Sequence, residues 1–173
     1  IEETLSWQQL DDLVYRSNHV NVRVRVGGQR YLVDVGGDMV IGRRPARRIS
    51  MQRALAQYYN NRAVALLDEH RLPAALAHAG IALQLDPAYP ITWSNTGVLR
   101  LRSGDRAGAE RAYLTALGLD PDNASALFNL VSLYQRSGDR GREAPLRKRL
   151  QELEQKDPFH HFLLAAEYEN HGD

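Results

Sequence analysis

A mainly α fold, built as an array of stacked helix pairs, is what this 173-residue sequence predicts. Three observations predict it. The first is a 34-residue echo. Ser103-Gly104-Asp105 recurs as Ser137-Gly138-Asp139, and His171-Gly172-Asp173 falls on the same beat. Asp86-Pro87 recurs as Asp120-Pro121, and Asn61, Asn95 and Asn129 keep the same interval. A fixed period of this length marks units that bury their apolar faces against their neighbours. The second observation is that residues 50–173 are rich in Ala and Leu at helical spacing and contain no alternating run. The third is the Gly-Asp pair itself: Gly104 suits the left-handed position that ends one helix, and Asp105 can cap the next.

The elements follow in chain order. The organisation changes near Ile49-Ser50, giving residues 1–49 and 50–173 as separate regions. Leu5 to Tyr15 reads as a short helix. His19 to Val26 then alternates, with Val20, Val22, Val24 and Val26 against His19, Asn21, Arg23 and Arg25. That is the pattern of a half-buried strand. Gly27-Gly28 supplies a two-residue hairpin turn, and Tyr31 to Val35 returns as its second strand. Gly36 to Arg48, with Arg43, Arg44, Pro45, Arg47 and Arg48, reads as a solvated basic linker. A hairpin with one helix forms no independent core, so this region must pack on other sequence.

The repeat units start near Ala56, Pro90, Ala124 and Pro158. In the second, Trp93, Gly97, Ala109, Tyr113, Ala116 and Pro121 occupy regular offsets from Pro90. Gly97 and Ala109 allow two helices to approach closely, and Trp93 and Tyr113 fill the space beside them. These positions resemble the tetratricopeptide repeat, two antiparallel helices in 34 residues. The first unit keeps Tyr59, Ala63, Ala75, Ala79, Ala82 and Pro87 in register but places Glu69-His70-Arg71 at its inter-helix turn. The third keeps Leu127, Val131, Tyr134 and Gly138. In its second helix Glu143 and Arg147 stand where Ala and an aromatic are expected, and Pro145 should kink that helix or delay its start. The frame makes Asp157 an N-cap and Pro158 the first residue of the fourth unit, so the third unit's second helix should run to about Lys156. The expected architecture is therefore three repeats plus a C-terminal helix, Pro158 to His171. The start at Ile1 without a methionine, and the half-finished fourth unit, lead us to expect a segment of a longer chain.

The resemblance implies a superhelix whose concave face is lined by the first helix of each unit. Asn61, Asn95 and Asn129 share one position on that face. An amide offers both a donor and an acceptor, matching a peptide bond. Similar asparagine ladders hold extended peptides in some proteins of this family. Neighbouring positions carry Gln57, Asn60, Asp68, Ser94, Arg102, Ser125, Phe128, Gln135 and Arg136. The expected peptide-binding set is Asn61, Asn95, Asn129, Asn60, Gln57, Arg102, Gln135 and Arg136. The bland alternative is that the asparagines only cap or bridge adjacent units. Chaperone-binding members clamp a ligand's terminal carboxylate with Lys, Asn and Arg. Here Asn95 fits that pattern, while Asn60, Ser125 and Asn129 replace the basic residues. Arg102 and Arg136 favour acidic segments.

Counting back from Gly27-Gly28 puts Asn21 opposite Asp34 and His19 diagonal to it on the same face. A carboxylate beside an imidazole orients it and raises its basicity. The stretch NHVNVRVRVGGQRYLVDV resembles the His-to-Asp segment of transglutaminase-like cysteine enzymes. By that resemblance His19 would be a general base and Asp34 its partner. The family needs an upstream cysteine, and these residues hold none. The cysteine could precede Ile1, it could have been lost, or the hairpin could be an ordinary amphipathic one with His19 at its surface.

Composition narrows the classes. Lys+Arg total 22 and Asp+Glu 21, a net charge of +1 that gives no basic stripe for nucleic acid. No run approaches the roughly 18 apolar residues of a membrane span. Without cysteine there is no thiolate site in these residues. Adjacent His160-His161 diverge on a helix and suggest no metal site. No cofactor motif is found. The expected partner is a protein or peptide, with self-association through the uncapped C-terminal helix or the hairpin edge. The leading reading is an interaction scaffold. The alternative is a piece of a Cys–His–Asp hydrolase or acyltransferase whose repeats recruit substrate. No compartment is assigned.

Overall fold

The computed structural model describes residues 2–10, 13–34 and 47–156. The expected helix from Pro158 to His171 and most of the linker, residues 36–46, lie outside them. The chain divides into two compact units, residues 1–58 and 59–173. The division falls inside a helix.

Among the described residues the first unit holds four strands: β1 (Glu2–Leu10), β2 (Leu13–Val26), β3 (Gln29–Asp34) and β4 (Arg47–Arg48). Their order is β3-β2-β1-β4. β2 and β3 pair antiparallel, with Val26 opposite Gln29, Val22 opposite Val33 and Asn21 opposite Asp34. Between them Gly27 and Gly28 take φ of +56° and +85°, a backbone that glycine adopts without strain. The helix expected over Leu5–Tyr15 is overturned: Leu5–Leu10 belongs to β1 and Leu13–Tyr15 to β2, with Leu10 opposite Leu13. Trp7, Val14 and Tyr15 are strand formers, and a ladder beside the strongly alternating β2 outweighs the weak helical spacing of Leu5 and Leu13. The expected linker is also shorter than read, because Arg47 and Arg48 pair with Glu3 and Glu2.

Six helices follow among the described residues: α1 (Met51–Asp68), α2 (Leu72–Leu85), α3 (Pro90–Arg102), α4 (Arg106–Leu119), α5 (Ala124–Ser137) and α6 (Arg140–Lys156). Their ends are written locally. The Arg53 amide donates to Ser50 Oγ at 3.0 Å, starting α1 before the first repeat frame. Asp105 caps α4 by accepting from the Gly108 amide at 2.8 Å, and Asn123 caps α5 by accepting from that of Ala126 at 3.0 Å. Asp139 does the same for α6 from Arg142 at 3.1 Å. Pro90 opens α3 at a position whose amide would have no helical partner. α6 runs from Arg140 through Pro145 to Lys156, so the proline does not delay its start.

The 34-residue period also appears in the backbone. His70, Gly104 and Gly138 have φ of +59°, +86° and +71° at equivalent inter-helix turns. The left-handed conformation persists in the first unit although no glycine is there to favour it.

Packing within the second unit follows the small residues. Ala63 and Leu66 of α1 meet Ala75 and Ala79 of α2 and Leu99 of α3. Ala109 and Tyr113 of α4 meet Leu130, Leu133 and Tyr134 of α5, with Val98 and Leu101 of α3 and Leu146 of α6 packed alongside. Each first helix thus touches the next, and each second helix packs between. Polar bracing joins the second and third repeats. Tyr134 donates its hydroxyl to Glu110 at 2.8 Å, and Arg142 lies 4.4 Å above the Tyr134 ring. Arg142 also bridges Glu110 at 2.5 Å and Asp139 at 2.6 Å. Glu143 and Arg147, the apparent departures in the third repeat, pair with each other one turn apart on α6.

Candidate peptide-binding face

α1, α3 and α5 present equivalent positions because each occupies the first half of a 34-residue unit. Helical spacing puts residues three and four apart on one face. Asn60 with Asn61, Ser94 with Asn95, and Phe128 with Asn129 therefore lie at the same level on successive helices.

The asparagines are not equivalent to one another. Asn60 is only 4% exposed. Its Oδ1 accepts from Asn95 Nδ2 at 3.0 Å, and its own Nδ2 donates to Asn61 Oδ1 at 3.4 Å. α1 and α3 are thus joined by an amide bridge. Asn61 is exposed, and Asn95 and Asn129 are half-buried. Asn95 keeps its carbonyl oxygen and one N–H beyond the bridge, and Asn61 keeps both donors. The Asn129 side chain makes no hydrogen bond among the described residues. Bridging of adjacent units therefore occurs at Asn60–Asn95, while the other amide capacity of the row faces outward. The burial of Asn60 was the feature sequence reasoning missed. Its signal was the unusual Asn60-Asn61 doublet, which places one amide outward and one against the next helix.

The charged members lie one margin away. Arg102 and Arg136 are exposed and make no ion pair among the described residues. Asp68, at the equivalent position of α1, is also exposed. Gln135 is exposed and accepts from Arg147 Nη2 at 3.4 Å. Gln57 is buried and belongs to the first compact unit. Two apolar side chains break the polar surface: Phe128, 60% exposed, and Val64, 39% exposed. Ser94 is buried, and its hydroxyl finds no partner among the described residues.

His19 and Asp34 lie elsewhere, on β2 and β3 of the first unit. His19 pairs with Thr4 across β1, and Asp34 pairs with Asn21, two residues along from His19. Among the described residues no helix is long and apolar enough to cross a membrane.

A solved chain described as the first TPR of Spaghetti (RPAP3), bound to the HSP90 peptide SRMEEVD, superposes with a TM-score of 0.57 at 15% identity, covering 70% of this chain and 98% of that one. The second TPR of the same protein, with the same peptide, gives 0.55 at 17% identity over 61% and 99%. MamA gives 0.55 at 22% identity over 58% and 59%. The array has the tetratricopeptide-repeat fold. Hsp70-Hsp90 organizing protein of Triticum aestivum is 36% identical over 87 residues, half of this chain. The chain spans 15% of that relative's length. No protein-family model matches.

Proposed function

We propose that the first-helix face of the tetratricopeptide array captures an extended peptide segment of a partner protein, making the chain an interaction scaffold. The observation that carries this reading is the row Asn61, Asn95 and Asn129 on three consecutive first helices, with hydrogen-bonding capacity left after the Asn60 bridge. Amides spaced along a face can pair with successive peptide bonds whatever the ligand's side chains. Arg102, Arg136 and Phe128 then supply selectivity. The peptide-bound state of the two Spaghetti neighbours supports the same use of the fold. On this reading residues 50–173 form the binding array, and residues 1–49 form a separate module.

The test is capture of peptides selected on the chain from a random library. The Asn95→Ala/Asn129→Ala variant should lose capture while its circular dichroism stays helical. Unchanged affinity in a folded variant refutes the reading.

A second reading concerns the sheet: Asn21 lies opposite Asp34, with His19 two residues along β2, and a Cys–His–Asp hydrolase or acyltransferase of the transglutaminase-like kind would draw its His and Asp from two such strands. It requires a cysteine from sequence outside these 173 residues. Thiol-reactive labelling of the full-length protein tests it. A reactive cysteine whose labelling slows on His19→Ala supports the enzyme, and labelling indifferent to His19 removes it.

A further inference from the structure

We infer that the ligand of this face is an internal segment of a protein chain, carrying an acidic and an apolar side chain, and not a chain terminus. The inference rests on the peptide-binding reading and specifies its ligand class. It follows from where charge sits on the face.

The middle of the face is neutral throughout: Asn60 and Asn61 on α1, Ser94 and Asn95 on α3, Ser125 and Asn129 on α5. The charged side chains are Asp68, Arg102 and Arg136, each seven residues beyond the asparagine of its own helix. At about 1.5 Å per residue this is roughly 10 Å along the helix axis. A terminal carboxylate laid against the amide row would have no cation beside it and would forgo the charge-assisted bonds that hold such a group. Neutral peptide bonds suit that row, because an amide returns both the N–H and the C=O bond that a peptide unit loses to desolvation.

The margin gives the ligand's side chains. Arg102 and Arg136 are exposed, adjacent in the repeat and unpaired among the described residues, so they match carboxylate side chains. Phe128, 60% exposed beside Asn129, offers an apolar foothold. Phe128 and Arg136 are separated by eight residues of α5, about 12 Å. The recognised ligand therefore carries an apolar side chain and an acidic one, within a chain that continues in both directions.

Two random peptide libraries test this on the intact chain, one displayed inside a loop and one displayed with a free C-terminus. The expected result is binders from the loop library that carry an acidic and an apolar residue. Their affinity should change by less than about twofold between C-terminal acid and amide, and should fall about tenfold on Arg102→Gln/Arg136→Gln. Binders that come only from the free-terminus library, or that are lost on amidation, overturn the inference and leave the peptide-binding reading standing. Loop binders indifferent to both arginines also overturn it. No binder from either library overturns the peptide-binding reading, and this inference with it.

Discussion

Replacing Gly97 by alanine probes the closest helix approach in the array. A β-carbon there would stand 2.3 Å from Cε1, 2.6 Å from Cδ1 and 2.8 Å from Cζ of Tyr113. Carbon atoms in contact sit about 3.5–4.0 Å apart, so the ring would have to retreat by more than about 1 Å. It has nowhere to go: Tyr113 is fully buried, packed with Ala109, Leu130, Leu133 and Tyr134. Overpacking of this kind costs about 1–3 kcal/mol, and a clash this deep belongs at the upper end. Alanine's better helix propensity returns about 1 kcal/mol, leaving a net loss of about 1–2 kcal/mol. Gly80, in the interior of α2, is the control. A β-carbon there meets nothing within 4 Å, so Gly80→Ala should gain about 0.5–1 kcal/mol. Urea denaturation followed by circular dichroism reads both. Opposite signs are predicted, with a separation of about 1.5–3 kcal/mol. In a Tyr113→Leu background the penalty at Gly97 should vanish, because the obstructing ring is gone. A Gly97→Ala variant as stable as Gly80→Ala would refute the packing described for α3 and α4.

Other expectations follow from single contacts. The Tyr113 hydroxyl is buried with no partner among the described residues, so Tyr113→Phe should stabilise by about 1 kcal/mol in thermal or urea unfolding. Burial pushes that phenol up to about 12. Below about pH 10 it is neutral folded or unfolded, and above that only the unfolded chain ionises it. Stability is therefore lost between about pH 10 and 12, by about 2–3 kcal/mol from this group, and comparison with Tyr113→Phe at both ends of that range isolates it. His70→Gly should stabilise by about 1 kcal/mol on chemical denaturation, because φ of +59° strains a side-chain-bearing residue. Asn95→Ala should destabilise by about 1–3 kcal/mol by orphaning the buried Asn60 carbonyl, whereas Asn129→Ala should leave the melting temperature nearly unchanged.

Legibility in the sequence followed the range of the interactions involved. Caps and inter-helix turns are decided within three or four residues, and Asp105, Gly104 and Gly138 adopt the roles their residue types suggest. The frame that made Pro158 a starting residue also anticipates α6 reaching Lys156. His70 shows the repeat holding in the backbone after its usual residue has gone, which composition alone does not reveal. Leu5–Tyr15 failed for the opposite reason: its local spacing was ambiguous, and pairing with a distant stretch of chain decided it. Asn60 was legible as a polar residue of the face but not as a buried one. Its burial depends on Asn95, thirty-five residues away, approaching it with a free amide. Glu143 and Arg147 looked like defects in the third repeat because the pattern encodes packing between helices, while these two residues satisfy each other.

The claim that matters most is that the row of asparagines meets the ligand. Side-chain amide signals report this directly in a two-dimensional nitrogen–proton NMR titration with a peptide selected on the chain. With the row at the ligand, the side-chain amide signals of Asn61, Asn95 and Asn129 move together and saturate at the stoichiometry of binding, and the guanidinium Nε–H signals of Arg102 and Arg136 follow. Shifts confined to α2 and α4, with the three asparagines unmoved at saturation, would contradict it.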